Sequence, residues 1–399
     1  MSSRNLFKPI TVGKIVPQHR LVMAPLTRFR SPNHVPTDLV AQYYKQRASA
    51  PGTLIISEAT FITEAAGGYE NVPGIYNPAQ IAAWGKVAAS IHEQNSFFFI
   101  QLWSLGRAAD KNYLDRLGHK YVAPSAIPNP GVNVKYVQKK QEVEDWNKQH
   151  PEDLKPVPEE PVNPVPHALT EEEILAYIDA FVQAAKNAVA AGADGVEIHN
   201  ANGYLLEQFL SESSNQRTDK WGGSVENRAR FTLAVVDAVV AAIGAERTGI
   251  RLSPWRSYAQ ADESSSPLEQ WSYVFNELER RGREGKRLAY IHLVEPRADL
   301  GSNPHAIYNK SGDNAAFVKL WSGSLIRAGG YKLESALAAT DADARLLIGV
   351  GRYFISTPDL VARWRLGREP NPYNRSTFYS PGAKGYTDYP FAEELQVAA

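Results

Sequence analysis

A chain of 399 residues, 43% of them hydrophobic, is long enough to bury a large core, and a single α/β barrel commonly occupies this much sequence. Its 43 basic residues balance its 43 acidic ones, so no long-range charge draws it to nucleic acid or to an anionic membrane. It contains no cysteine, which excludes disulfides, thiolate catalysis and thiolate-bound zinc or iron–sulfur centres.

In chain order, the sequence predicts a strand at 20–26 ("RLVMAPL") and a helix at 37–49, then a strand at 53–59 and a helix at 78–94. The strand at 97–103 ("FFFIQLW") is followed, after a long gap, by a helix at 170–191. Strands at 195–199, 248–253, 288–294, 324–328 and 345–350 then alternate with helices at 226–243, 267–282, 313–321, 332–339 and 357–366. The strands are nearly continuous apolar runs, as expected when both faces of a parallel strand are covered. Thr170 followed by three glutamates resembles a capping box, and Thr357-Pro358-Asp359 places a proline at a first helical position. Eight strand–helix units point to an α/β fold, one closed (β/α)8 TIM barrel spanning 1–399 as a single domain. An open doubly wound sheet would advertise G-x-G-x-x-G after its first strand, where this chain reads "APLTRFRS". No stretch approaches the roughly 20 apolar residues of a membrane span, and the N-terminus lacks a signal-type apolar segment. A cytoplasmic protein, monomeric or homodimeric, is the expectation.

Residues 104–169 interrupt the rhythm with no predicted strand. Prolines at 151, 156, 158, 161, 164 and 166 forbid a regular helix over the end of this insertion, although 134–149 suits one. A loop after a barrel strand emerges on the catalytic face, so 104–169 is read either as a lid over the site or as a solvated excursion.

Barrel chemistry collects at the C-terminal ends of the strands. Here those ends carry Thr27, Glu58, Gln101 with Trp103, His199 with Asn202, Arg251, Glu295 with Arg297, Gly329-Gly330 and Gly351-Arg352. The glycine pairs of "IRAGGY" and "IGVGRYF" close strands seven and eight, the usual phosphate site of such barrels, and Arg352 adds a charged fork. Arg251 requires something negative or electron-rich, either a ligand or an internal partner, Glu58 or Glu197. Gln101 suits the edge of a heterocycle, or is a buried amide satisfied by backbone. His199 and Asn202 both donate hydrogen bonds, and two neutral donors on one oxygen polarise a carbonyl. Tyr204 carries a transferable proton. No second histidine stands at ligand spacing, so no metal is expected, and His292 in "IHL" stands alone.

The segments "APLTRFR", "FFFIQLWSLGRAA", "GVEIHNANGYLLEQFLSESSNQRTDKWGGSVENRARF", "IRLSPW", "EPR", "IRAGGY" and "GRYFISTPDL" resemble, in order and spacing, the old yellow enzymes, FMN-dependent ene-reductases on a (β/α)8 barrel. The resemblance covers the chain outside about 130–167. It implies that Thr27 bonds the flavin O4, as in the threonine branch of the family, and that Pro25 and Leu26 contact the ring through backbone. It further implies Gln101 at the pyrimidine edge, Arg251 beside N1 and O2, and Gly329, Gly330, Gly351 and Arg352 on the FMN phosphate. Phe378 would pack by the dimethylbenzene end, while Trp103 and Tyr379 would line the substrate cavity. His199 and Asn202 would grip the carbonyl or nitro oxygen of an electron-poor small-molecule alkene, and Tyr204 would donate the proton. NADPH, or NADH in its place, would be the reductant. The family leaves open a specialised reductase or isomerase of one natural-product intermediate, or a non-catalytic flavin-binding barrel. Outside it, a two-carboxylate glycosidase built on Glu58 and Glu295 is the rival.

Overall fold

The computed structural model describes residues 4–129, 143–157, 163–255, 267–296 and 312–392. Eight parallel strands make the barrel wall: β1 (Leu21–Met23), β2 (Leu54–Ile56), β3 (Phe97–Trp103), β4 (Gly195–Asn200), β5 (Thr248–Leu252), β6 (Tyr290–Val294), β7 (Leu325–Ala328) and β8 (Leu346–Val350). Each strand pairs with the next, and β8 returns to β1 with Leu21 opposite Ile348, so the sheet closes. Eight helices follow their strands: α1 (Asp38–Arg47), α2 (Pro78–His92), α3 (Glu171–Ala190), α4 (Val225–Ile243), α5 (Pro267–Arg281), α6 (Ala315–Val318), α7 (Leu333–Ala342) and α8 (Leu360–Arg365). The capping box at the start of α3 is formed, with Thr170 Oγ1 accepting from the Glu173 N–H and Glu173 Oε2 accepting from the Thr170 N–H.

Strand alternation sorts the side chains into two environments. Val196, Ile198, Ile250, Leu252, Ile291 and Leu293 join the large apolar layer shared with the helices. Val22, Leu54, Ile56, Phe99, Tyr290, Ile326 and Leu347 fill the lower barrel, where Val12 and Ile15 of an N-terminal turn join them. Gly249 has no side chain because a Cβ there would lie 2.4 Å from the Tyr290 ring. Higher up, the inward positions turn polar: Gln101, Glu197, His199, Arg251 and His292 replace the apolar side chains within four adjacent strands. The upper end of the barrel is therefore the one built for chemistry.

Several local expectations differ from the fold. Within 104–169, Val122–Ala123 pairs with His167–Ala168 and a short helix spans Lys111–Arg116, elements too short to produce a periodic signal. Of the helix expected at 134–149, residues 143–149 are helical, and 130–142 lie outside the described residues, as does Arg297. Extra helices follow β4 at Leu205–Leu210 and β8 at Arg352–Ser356. The second of these leaves Pro358 between two short helices instead of at a first helical position, with Asp359 as the cap of α8.

Candidate active site

His199 is buried near the end of β4, and the chain then turns through Asn202 (φ 66°) and Gly203 (φ 78°). Asparagine tolerates this left-handed backbone better than other side chains, so "NG" is a true turn. The turn is fixed from below. The Asn202 N–H donates to Ser253 Oγ (2.7 Å), Ser253 Oγ donates to Glu207 Oε2 (2.7 Å), and the Gly203 N–H reaches the same carboxylate (3.1 Å). Tyr204 caps the helix that follows. Its ring meets Trp103 edge-on at 4.7 Å and His199 at 5.0 Å, while Trp103 lies 6.1 Å from His199. Gln208 Nε2 bonds the carbonyls of Leu105 and Gly203, tying the loop after β3 to the loop after β4. His199, Asn202, Tyr204 and Trp103 thus share one corner of the rim. Asn200, the alternate residue, faces the helix layer instead, where its Oδ1 accepts from Thr232 Oγ1.

Below this corner lies a buried polar cluster. Glu197 accepts from Gln101 Nε2 at 2.7 Å through one oxygen and from His292 Nδ1 at 2.8 Å through the other. Arg251 sits one strand over, in register with both His199 and His292. Burial pushes the Glu197 carboxyl up, but His292, Arg251 and Gln101 together hold it below its ordinary value. Burial lowers His292 below the ordinary histidine value; the Glu197 carboxylate opposes this and the charge of Arg251 adds to it. Of the two internal partners considered for Arg251, its charge acts on Glu197, whereas Glu58 responds to Arg28 and Arg30. The Gln101 amide is held by a carboxylate, not by backbone. His292, a lone histidine in the sequence, has its partner on β4.

Gly329 and Gly330 end β7 beside Gly351 and Arg352 at the end of β8, strands paired from Leu325–Leu346 to Ala328–Gly349. Arg352 touches the Tyr373 hydroxyl (3.3 Å) and ring, and no carboxylate partners it among the described residues. Ring contacts run along the rim from this end to the other: Tyr373 to Phe378, Phe378 to Tyr379, Tyr379 to Phe29, Phe29 to Tyr69, and Tyr69 to Trp103. Phe29, Tyr69 and Tyr379 also line an open cleft of about 540 Å³, a small-molecule size. Pro25 is buried, and Leu26 and Thr27 are half-buried where β1 gives way to this rim.

The segment carrying Phe378 and Tyr379 is held by arginines that the sequence reading did not single out. Arg28 donates to the carbonyls of Phe378 (3.0 Å) and Gly385 (2.8 Å), and Arg30 to those of Thr377 (3.0 Å) and Gly382 (2.8 Å). Arg47 reaches the Tyr386 carbonyl (2.8 Å), under a stacked Tyr43–Tyr386 pair. Burial lowers Arg47 to about 10, which still leaves it charged at neutral pH.

Glu58 lies under this anchor, fully buried, accepting from the Arg28 N–H at 3.2 Å. Burial raises its carboxyl to about 7, opposed by that hydrogen bond and by the charges of Arg28 and Arg30. Below the ordinary carboxyl value, Glu58 is protonated folded or unfolded and has no effect on stability. Between there and pH 7 only the unfolded chain releases the proton, so stability falls as pH rises, by roughly 3 kcal/mol in all. Glu58→Gln keeps an acceptor for Arg28 and removes this titration. The variant is expected to gain thermal stability over the parent at pH 8 and to match it at pH 4.5; equal differences at the two pH values would contradict the assignment. Glu295, the other rival carboxylate, is bound by Arg327 (2.5 and 3.0 Å). Both acids are thus engaged by arginines, Glu58 through the Arg28 backbone N–H and Glu295 through the Arg327 guanidinium.

Residues 5–371 match the NADH:flavin oxidoreductase / NADH oxidase family. Enoate reductase 1 of Kluyveromyces lactis is 44% identical over 99% of this chain and 96% of its own length. Chanoclavine-I aldehyde reductase fgaOx3 of Penicillium roqueforti is 44% identical over 98% of both. The crystal structure of Old Yellow Enzyme from Pichia sp. AKU4542 matches with a TM-score of 0.84 and 40% identity, covering 98% of this chain and 95% of that one. The chain belongs to the old yellow enzyme family. As such it is a flavin oxidoreductase, with FMN as cofactor and NADPH as reductant.

Proposed function

We propose that this old yellow enzyme is an ene-reductase acting on alkenes activated by a carbonyl or nitro group. The observation that carries the reading is the corner where His199, Tyr204 and Trp103 pack together beside the fixed Asn202 turn. The pocket suits FMN. Arg352 is a cation without a carboxylate beside glycine-ended strands, and the buried Trp103 indole N–H has no acceptor among the described residues. Gln101 Oε1 likewise receives no bond from them. Gly329, Gly330, Gly351 and Arg352 would hold the phosphate. Gln101 and Arg251 would hold the pyrimidine side, Pro25, Leu26 and Thr27 the ring edge, and Phe378 the dimethylbenzene end.

When bound, FMN supplies the redox chemistry, taking hydride from NADPH and passing it to the alkene β-carbon in alternate visits to one site. His199 and Asn202 donate to the substrate oxygen, and their bonds strengthen as negative charge builds there, which lowers the barrier. Tyr204 protonates the α-carbon. Trp103 and Tyr379 wall the substrate, excluding water from the reacting face.

The purified protein is expected to be yellow and to release FMN on denaturation. NADPH should bleach it without oxygen, and cyclohexenone should restore the colour. A colourless, stable protein would sink the reading, and so would a reduced protein indifferent to cyclohexenone. The open cleft of about 540 Å³ beside Tyr379 also favours a second reading, an unsaturated aldehyde of natural-product size. The name of the Penicillium roqueforti relative lends it support. A higher kcat/KM for such an aldehyde than for cyclohexenone would select it.

A further inference from the structure

We infer that Glu197 is a positioning residue that fixes the Gln101 amide against the flavin, and that its buried negative charge holds down the flavin's reduction potential. A carboxylate only accepts, so the 2.7 Å contact commits one N–H of the Gln101 amide to Glu197 and leaves Oε1 and the second N–H for the pocket. The orientation is locked from three sides. Glu197 is fully buried, its other oxygen is engaged by His292 Nδ1 at 2.8 Å, and Gln101 and Glu197 face each other in register on β3 and β4. Gly349 faces His292 from β8, where a Cβ would lie only 3.3 Å from its Nε2.

An amide held this way offers an acceptor and one donor, which suits a ligand edge with an N–H beside a carbonyl, such as the imide edge of a pyrimidinedione. Glu197 adds its own negative charge directly beneath and offsets Arg251, whose positive charge acts on it. That charge disfavours the reduced, negatively charged cofactor relative to the oxidised one. The inference rests on the proposed placement of FMN against Gln101 and Arg251.

Glu197→Gln removes the charge and frees the amide to turn, at nearly constant volume. The FMN midpoint potential, measured by dye equilibration, is expected to rise in the loaded variant by a tenfold change in the oxidised-to-reduced binding ratio, about 30 mV for a two-electron couple. An unchanged or lowered potential, with FMN weakened equally in both redox states, would reduce Glu197 to a structural residue and overturn the inference. Should Glu197→Gln fail to retain FMN, Glu197→Met decides the same point. It removes the charge at similar volume, so a raised potential upholds the inference and a potential equal to or below the parent's overturns it. Parent protein without FMN would sink the cofactor placement and this inference together, while loaded variants with the wrong sign sink only the inference.

Discussion

Replacing His199 with alanine and Asn202 with glycine together is expected to slow reoxidation of the reduced enzyme by cyclohexenone at least ~10³-fold, about 4 kcal/mol of barrier. Reduction by NADPH is expected to change far less. The asymmetry follows from where charge develops: the enone oxygen becomes enolate-like as hydride arrives, and two donors fixed at that oxygen bind it more strongly than they bind the ground state. NADPH gains no negative charge on giving up hydride, so the same donors only help to seat it. Glycine is the better substitution at 202 because the backbone there is left-handed (φ 66°), and alanine would add strain to the loss of the amide. Trp103 and Tyr204 continue to pack against each other at 4.7 Å, so the corner does not depend on the removed side chains alone. Stopped-flow absorbance at the flavin band separates the two half-reactions. If both fall by the same factor, the pair serves to hold any ligand and has no preference for the charged transition state.

The barrel was legible because its strands are buried on both faces, and runs such as "TLIISEA" and "FFFIQLW" carry that burial openly. The same runs exposed part of the site, since a glutamine, a histidine and an arginine inside apolar strands demand partners. The partners themselves were harder to read. Glu197 was visible only as one candidate counterion for Arg251, and His292 as a solitary histidine. They meet across β5, and only strand order and register bring them to 2.8 Å. Distance along the chain hid the anchor of the aromatic wall more completely. Arg28 and Arg30 sit in the motif "APLTRFR", yet they bond carbonyls some 350 residues away, and backbone acceptors leave no mark in sequence. Phe29 and Tyr69 escaped for the same reason: aromatic side chains in loops reveal their purpose only when the loops are placed side by side.

Tyr204→Phe is expected to lower enone turnover by ~10²–10⁴-fold while FMN content and reduction by NADPH stay as in the parent. Phenylalanine keeps the ring contacts with Trp103 and His199 and loses only the hydroxyl, so the comparison isolates a proton. The substitution should act on kcat more than on KM, because in the proposed cycle the hydroxyl is needed after His199 and Asn202 have taken hold of the substrate oxygen. A nitroalkene provides the internal control. Its hydride adduct is a nitronate, an anion stable enough to leave without a proton, whereas an enolate must be protonated before release. Flavin reoxidation by the nitroalkene is therefore expected to survive Tyr204→Phe far better than reoxidation by cyclohexenone, with nitronate absorbance appearing as the colour returns. If the two substrates suffer alike, Tyr204 shapes the pocket and the proton comes from water or another group. If neither suffers, the proton source lies elsewhere, and the clamp of His199 and Asn202 stands without it.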